Sequence, residues 1–207
     1  MLWWTERSNR LSTAFIEPCL PAVRLRPPVG SEWLHEFKHD GCRLVATKSG
    51  RRVQLFTRRG FDWTRRFPRI AEAMQSLPLD SVAIDGEAVV CGADGVAVFE
   101  KLASNTKDAF LFAFDLVELN GVDLRPAPLE KRKQALAKLI RQADAMRFVE
   151  HLEGDGEIAF KRACKIGFEG IVSKRRDLPY HSGRSQSWLQ IKNPVGPALQ
   201  RAHIWRS

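Results

Sequence analysis

An α+β fold with antiparallel β-sheets flanked by helices is predicted for this chain by three observations. Strand-like stretches alternate apolar and polar residues over short runs, these stretches arrive mostly as hairpins joined by tight turns, and amphipathic helical stretches fall between the hairpins. The chain has 207 residues, 44% hydrophobic and 28% charged, which suits one sizeable core. It contains no internal repeat and no low-complexity segment.

Residues 1–18 show no clear period, although Trp3 and Trp4 are apolar enough to dock on a body. Pro18, Pro21, Pro27 and Pro28 predict an extended entry into the first strand. In residues 33–38, Trp33, His35 and Phe37 fall on one side and Leu34, Glu36 and Lys38 on the other. Asp40-Gly41 turns the chain, and residues 42–48 and 52–57 pair around Ser49-Gly50, ending in Thr57-Arg58-Arg59-Gly60. Residues 68–77 predict a short helix, with Ile70, Ala73, Met74 and Leu77 on one stripe and Pro68 in its first turn. Residues 81–91 are the clearest strand. Val82, Ile84, Ala88 and Val90 share its apolar face, and the opposite pair, Asp85 and Glu87, meets either solvent or a metal.

Residues 100–108 predict helix or loop, and residues 109–119 a long strand in which Phe110, Phe112, Phe114 and Leu116 alternate with Leu111, Ala113, Asp115 and Val117. Asn120-Gly121 is a hairpin turn. Residues 129–142 predict a helix with Leu129, Leu136, Leu139 and Ile140 inward and Lys131, Arg132 and Lys133 outward. A strand at 146–151, a helix at 157–165 closed by Gly167, and a strand at 168–174 follow. A polar loop at 175–187 precedes a last strand at 188–192, with Gln190 and Lys192 on one face.

Charge and cysteine usage narrow the function classes. Thirty-three Lys and Arg against 24 Asp and Glu leave a net charge of +9, which favours polyanionic partners, nucleic acid first among them. Cys19, Cys42, Cys91 and Cys164 lack C-x-x-C spacing, which excludes a zinc ribbon or a disulfide framework and predicts a reducing cytoplasm. No apolar run of about 18 residues predicts a membrane span. His35-Glu36-Phe37-Lys38-His39 matches H-E-x-x-H, but that zinc signature works on a helix. On a strand the two histidines stand roughly 13 Å apart, too far to share one ion.

Six short motifs then follow one another: Lys38 in K-x-D-G-x-R, Arg58, Glu87 in D-G-E, Phe114 in F-D-L, Glu169 in E-G-I-V-S-K and Lys192 in W-L-Q-I-K. In this order they resemble the motifs of covalent nucleotidyltransferases, and most closely those of ATP-dependent DNA ligases of the bacterial end-joining branch, over roughly residues 17–197. The resemblance implies an adenylyltransferase in DNA repair, in which a lysine amine attacks the α-phosphate of ATP and keeps AMP as a phosphoramidate. Free lysine titrates near ~10.4, so a dry pocket, neighbouring cations or a metal must ease its deprotonation. By resemblance Lys38 is the nucleophile and Glu36 accepts from the adenine amino group. Arg43 and Arg58 hold ribose and phosphate, Phe114 stacks on adenine, and Lys192 binds the α-phosphate. Glu87 and Glu169 place Mg2+ or Mn2+. DNA with nicks or ends is the implied partner, held in part by Arg58-Arg59, Arg65-Arg66 and Lys174-Arg175-Arg176.

The chain departs from the family pattern twice. The last motif ordinarily carries lysines at both alternating positions, and the first is here Gln190. Family ligases also continue into an OB-fold domain, whereas 15 residues follow Lys192, too few for a five-stranded barrel. The expected division is an extension at 1–16, an adenylyltransferase domain at 17–194 and a tail at 195–207, with no OB-fold domain. An OB-fold or DNA-binding protein acting in trans is then the implied helper. RNA ligases and mRNA-capping guanylyltransferases share the lysine chemistry, and a catalytically dead nucleic-acid-binding remnant would keep the fold and the charge; both readings stay open at this point.

Overall fold

The computed structural model describes residues 15–196 except Asp94 and Gln142, so Trp3, Trp4 and the last residues of the tail lie outside the described residues. In chain order the elements are β1 (Cys19–Val23), β2 (Trp33–Phe37), β3 (Cys42–Ser49), β4 (Arg52–Thr57), α1 (Pro68–Ser76), β5 (Ser81–Val89), α2 (Phe99–Ser104), β6 (Phe110–Leu119), β7 (Val122–Asp123), α3 (Leu129–Leu139), β8 (Met146–Phe148), β9 (His151–Leu152), α4 (Gly156–Ile166), β10 (Gly170–Arg175) and β11 (Gly183–Lys192). One sheet has the order β1-β11-β10-β2-β9; the other runs β4-β3-β5-β6-β7, with β8 also against β6. The pairings are antiparallel apart from β1 with β11 and β6 with β8. The architecture is α+β, as the alternation of hairpins and helices predicts. No helix among the described residues is long and apolar enough to cross a membrane.

The apolar faces stack these elements in layers. Ala163 on α4 packs with Trp33, Ile171, Leu189 and Ile191 on the outer face of the first sheet. Ile70, Ala73 and Met74 on α1 and Leu136 on α3 cover the outer face of the second sheet. Ile70 and Met74 are fully buried, each worth about 1.5–3 kcal/mol relative to exposure. Between the sheets, Phe114, Val117, Tyr180 and Trp188 form a smaller cluster. The sheets therefore face each other across a thin aromatic layer, and the site opens beside it.

Several local expectations change in the three-dimensional fold. Alternation puts Phe114 and Leu116 on one face, but β6 carries two register shifts against β5, at Ala83/Ile84 and Asp85/Gly86. Phe114 and Val117 are the residues left without a β5 partner, and both turn into the layer between the sheets, while Leu116 packs on the outer side. Residues 183–187, expected as loop, are strand because Gly183, Arg184 and Ser185 pair in parallel with Cys19, Leu20 and Pro21. Pro21 is tolerated because β1 is an edge strand. The strand expected at 146–151 is two short pieces on different sheets, β8 on β6 and β9 on β2. Arg132 and Lys133, expected outward on α3, are each 1% exposed. Both point inward because acids wait there: Asp115 forks onto Arg132 at 2.7 Å, and Glu36 lies 2.5 Å from Lys133.

Candidate active site

Lys38 directly follows β2, and two glycines allow the backbone to crowd around it. A Cβ on Gly41 would lie 2.2 Å from the Ala88 carbonyl oxygen, so only glycine lets the turn after β2 press against β5. Gly170 has φ +137°, and a Cβ there would lie 2.0 Å from the Ile191 carbonyl oxygen. The result is a close weave: the Lys38 amide donates to the Gly170 carbonyl at 2.9 Å, and the Glu169 amide donates to the Lys38 carbonyl at 3.2 Å. Lys38 Nζ then meets Glu169 Oε2 at 2.5 Å.

A cavity of about 200 Å3 opens between the sheets, and Glu36, Lys38, Arg43, Arg58, Glu87 and Phe114 all line it. Six of the residues singled out in the sequence therefore converge on one space, and Glu169 reaches it through its ion pair with Lys38. Gln190 lines the cavity as well. Lys192, one pleat further along β11, is exposed beside Gly170 and does not line it. Glu36 on β2 and Lys38 just beyond its end both reach the cavity, as do Phe37 and His39. His35 bonds Ser173 at 2.8 Å, and no group of three or more His, Cys, Asp or Glu able to hold an ion occurs among the described residues.

Asp85, although it shares a face with Glu87, has a different task. Arg43 forks onto it at 2.6 and 2.7 Å, and the Tyr180 hydroxyl donates to it at 2.6 Å. The same Tyr180 oxygen accepts from the Cys19 amide at 2.8 Å. Arg43 is thereby locked with its guanidinium 4.5 Å from the Phe114 ring centre. Glu87 keeps no such partner: burial pushes its carboxyl up to about 7, against the pull of Lys38 and Arg43, and the nearby charge of Glu169 adds to the rise.

Glu36 sits on the cavity floor between two cations, with Lys133 Nζ at 2.5 Å from one oxygen and Lys174 Nζ at 2.5 Å from the other. The Lys174 ammonium also rests over Phe114 at 4.2 Å and Trp188 at 3.9 Å. Burial pushes Lys174 down, opposed by Glu36. Lys133 and Tyr180 carry no expectation as site residues from the sequence, and Lys174 is expected only within a basic stretch for DNA, not in the nucleotide pocket. Lys174 was within reach, since alternation from Val172 places it on the Glu36 face. Lys133 and Tyr180 carry no local signal, because their partners come from strands far away in sequence.

A second, larger groove of about 870 Å3 shares Arg43, Arg58 and Glu87 with the cavity and is also lined by Arg59, Phe61, Trp63, Arg66 and Phe99. Phe61 is 61% exposed there. Arg66 stacks on Trp63 at 4.3 Å. By contrast, the expected basic stretch 174–176 is partly paired with acids of the chain itself. Lys174 is buried, Arg175 pairs with Asp177, and Arg176 pairs with Glu130 and Glu153.

Comparison with known proteins identifies the family. The family model of the ATP dependent DNA ligase domain matches residues 24–192. The multifunctional non-homologous end joining protein LigD of Pseudomonas aeruginosa is 36% identical over 185 residues, covering 86% of this chain and 22% of that protein. The ligase domain of Mycobacterium tuberculosis LigD superposes with a TM-score of 0.76 at 34% identity, covering 84% of this chain and 60% of that one. A mycobacterial DNA ligase D solved with ATP and MES gives 0.74 at 33% identity, covering 84% and 59%. This chain thus spans about a fifth of the length of the LigD proteins it matches. The matched interval contains Lys38 and every charged residue placed at the cavity, and the chain belongs to the ATP-dependent DNA ligase domain family.

Proposed function

We propose that the cavity is the adenylylation site of a DNA ligase: Lys38 attacks the α-phosphate of ATP, an N–P bond forms, the bond to pyrophosphate breaks, and lysyl-AMP remains for transfer to a DNA 5′-phosphate. The observation that carries this reading is Lys38 itself, held at the mouth of a buried purine-sized space with Glu169 at 2.5 Å. The amine must lose a proton before it attacks, and the Glu169 carboxylate is the acceptor in place. Glu36 and Lys174 face the same space as an acceptor beside a donor, which complements the amino group and the adjacent ring nitrogen of adenine. Phe114 is the proposed stacking surface, a ring that also meets Arg43 and Lys174. Arg43 and Arg58 are assigned to ribose and phosphate, and Lys192 to the α-phosphate once the exposed end of β11 is engaged.

Glu87 and Glu169 fit a divalent ion, Mg2+ or Mn2+. Two carboxylates close enough to repel, with the neighbouring Asp85 already held by Arg43 and Tyr180, suit an ion that takes its other ligands from phosphate oxygens and water. When bound, such an ion supplies charge neutralisation in the in-line displacement. The acceptor strand is assigned to the Arg58–Phe99 groove, where exposed arginines and aromatic rings meet phosphate and base respectively.

The test is intact-mass measurement after incubation with ATP and magnesium. One AMP adduct is expected on Lys38, and none on Lys38→Ala, whose circular dichroism should match the parent. No adduct on folded protein favours the inactive binding remnant, and stronger labelling by GTP moves the assignment to capping chemistry.

A further inference from the structure

We propose that Lys133 on α3 is a specificity-determining, positioning residue of the nucleotide pocket: it holds Glu36 as a hydrogen-bond acceptor and thereby sets a preference for adenine over guanine. The inference rests on the nucleotide reading of the cavity given above. Lys133 lies outside all six motifs and reaches Glu36 from a different layer of the fold.

The geometry separates the two lysines that flank Glu36. Lys133 Nζ is fixed three ways: to Glu36 Oε1 at 2.5 Å, to the Val149 carbonyl oxygen at 2.9 Å and over the Phe148 ring at 4.5 Å. Lys174 contacts Glu36 Oε2 at 2.5 Å and is otherwise held by aromatic faces, with no backbone carbonyl to fix it. Lys133 is therefore the cation that orients the carboxylate plane. Glu36 is 3% exposed. Burial pushes its carboxyl up, and Lys133 and then Lys174 outweigh that and hold it below the ordinary range. The other charged or titratable groups facing this cluster are His151, paired opposite Glu36 on β9, His39 beyond the end of β2, Asp115 behind Lys174, and Lys38, Arg43, Arg58 and Glu87 around the same cavity.

An ionised carboxylate only accepts hydrogen bonds and offers about four lone-pair positions, of which the two lysines take one on each oxygen. The position that remains toward the cavity suits the amino group of adenine. Guanine presents a carbonyl oxygen at the same place, so acceptor faces acceptor in a dry site, an arrangement that sites of this kind reject strongly. A protonated Glu36 behaves differently, because its O–H can donate to the guanine carbonyl. Without Lys133, Glu36 keeps its burial penalty and only one cation to offset it. It then takes up a proton in the neutral range, and the discrimination falls.

The experiment compares the wild type with Lys133→Met, Glu36→Gln and the double variant. The Glu36 carboxyl band is read by infrared spectroscopy, assigned by its loss in Glu36→Gln, from about pH 5 to about pH 9. Affinities for ATP and GTP are measured on the same samples. Expected are an ionised Glu36 in the wild type, a protonated one in Lys133→Met at neutral pH, and an ATP-over-GTP preference at least about tenfold smaller in that variant, recovering as pH rises. The double variant should show no smaller a preference than Glu36→Gln alone. An ionised Glu36 with intact preference in Lys133→Met overturns the proposal. Should Lys133→Met not fold, an undiminished preference in Glu36→Gln overturns it equally. A wild type that binds neither nucleotide overturns the nucleotide reading and the selectivity with it, while the carboxyl band still decides the link between Lys133 and Glu36.

Discussion

His39 follows the proposed nucleophile with its ring 4.3 Å from Phe112 and edge-on to Phe168 at 5.2 Å. Its Nδ1 is buried without a hydrogen-bond partner. Burial first, and the Lys38 charge second, push it down from 6.5 to about 4. The depressed value means that the unfolded chain takes up a proton before the folded one does. Stability is therefore unaffected by His39 above about pH 6.5, falls as pH drops toward 4, and carries the full penalty below that. A shift of this size corresponds to at most about 3 kcal/mol, less for a ring that lines a cavity. We predict that His39→Phe, which keeps the aromatic stack, gains about 1–3 kcal/mol over the wild type between pH 7 and pH 4 in urea unfolding. Two stability curves that stay parallel across that range would show that burial of His39 costs nothing. Gln190, also at the cavity, brings hydrogen-bonding capacity without charge where the family pattern has a lysine.

At the scale of elements, the site depends on how closely strands approach. The turn between β2 and β3 carries Lys38 on one side and Arg43 on the other, and Gly41 seats it against the Ala88 backbone. Gly41→Ala forces either that turn or β5 to move. Destabilisation of about 1–3 kcal/mol is expected from overpacking against backbone, read as a lower melting temperature. Adenylylation should fall further than stability alone explains, because Lys38 shifts relative to Glu169. Normal labelling by a Gly41→Ala protein would mean that the turn has slack the geometry does not show. The bulges of β6 act in the same way: they aim Phe114 at the cavity while the neighbouring Ala113 stays in the outer core.

Across the whole molecule the net charge of +9 is unevenly committed. Arg175 and Arg176 are tied to acids, whereas Arg58, Arg59, Arg65 and Arg66 are exposed and without an acidic partner among the described residues. On the proposed reading, polynucleotide would meet these arginines on one side of the chain. Four phosphate contacts correspond to a slope of about −3.6 in log affinity against log salt, and removing one arginine reduces it by about 0.9. Fluorescence anisotropy on nicked duplex with Arg58→Ala and Arg59→Ala measures this. For the 207-residue chain alone we expect slow self-adenylylation, weak or no nick sealing, and improvement when an OB-fold or DNA-binding protein is supplied in trans. Efficient multiple-turnover sealing without a partner would show that this core holds DNA unaided.

Period and turn chemistry determined a good deal by themselves. The hairpin of β3 and β4, the apolar face of β5, the helix α1 behind Pro68 and the closure of α4 at Gly167 are all local, set by alternation, ring constraint and a left-handed cap. So was the pairing of Glu36 with Lys38 on one strand face, and the ordered motifs were enough to identify the family. Tertiary structure decided the rest, for reasons that act at a distance. Lys133 looks solvent-facing on a helical wheel, yet is buried because a carboxylate from β2 lies within 2.5 Å. Asp85 and Glu87 look equivalent on their strand, yet Arg43 and Tyr180 claim the first, and burial leaves the second with its carboxyl raised to about 7. Residues 183–187 look like loop until β1 arrives to pair with them. In each case a charge or a strand edge is satisfied by a partner remote in sequence, and only the packed sheets determine which partner that is.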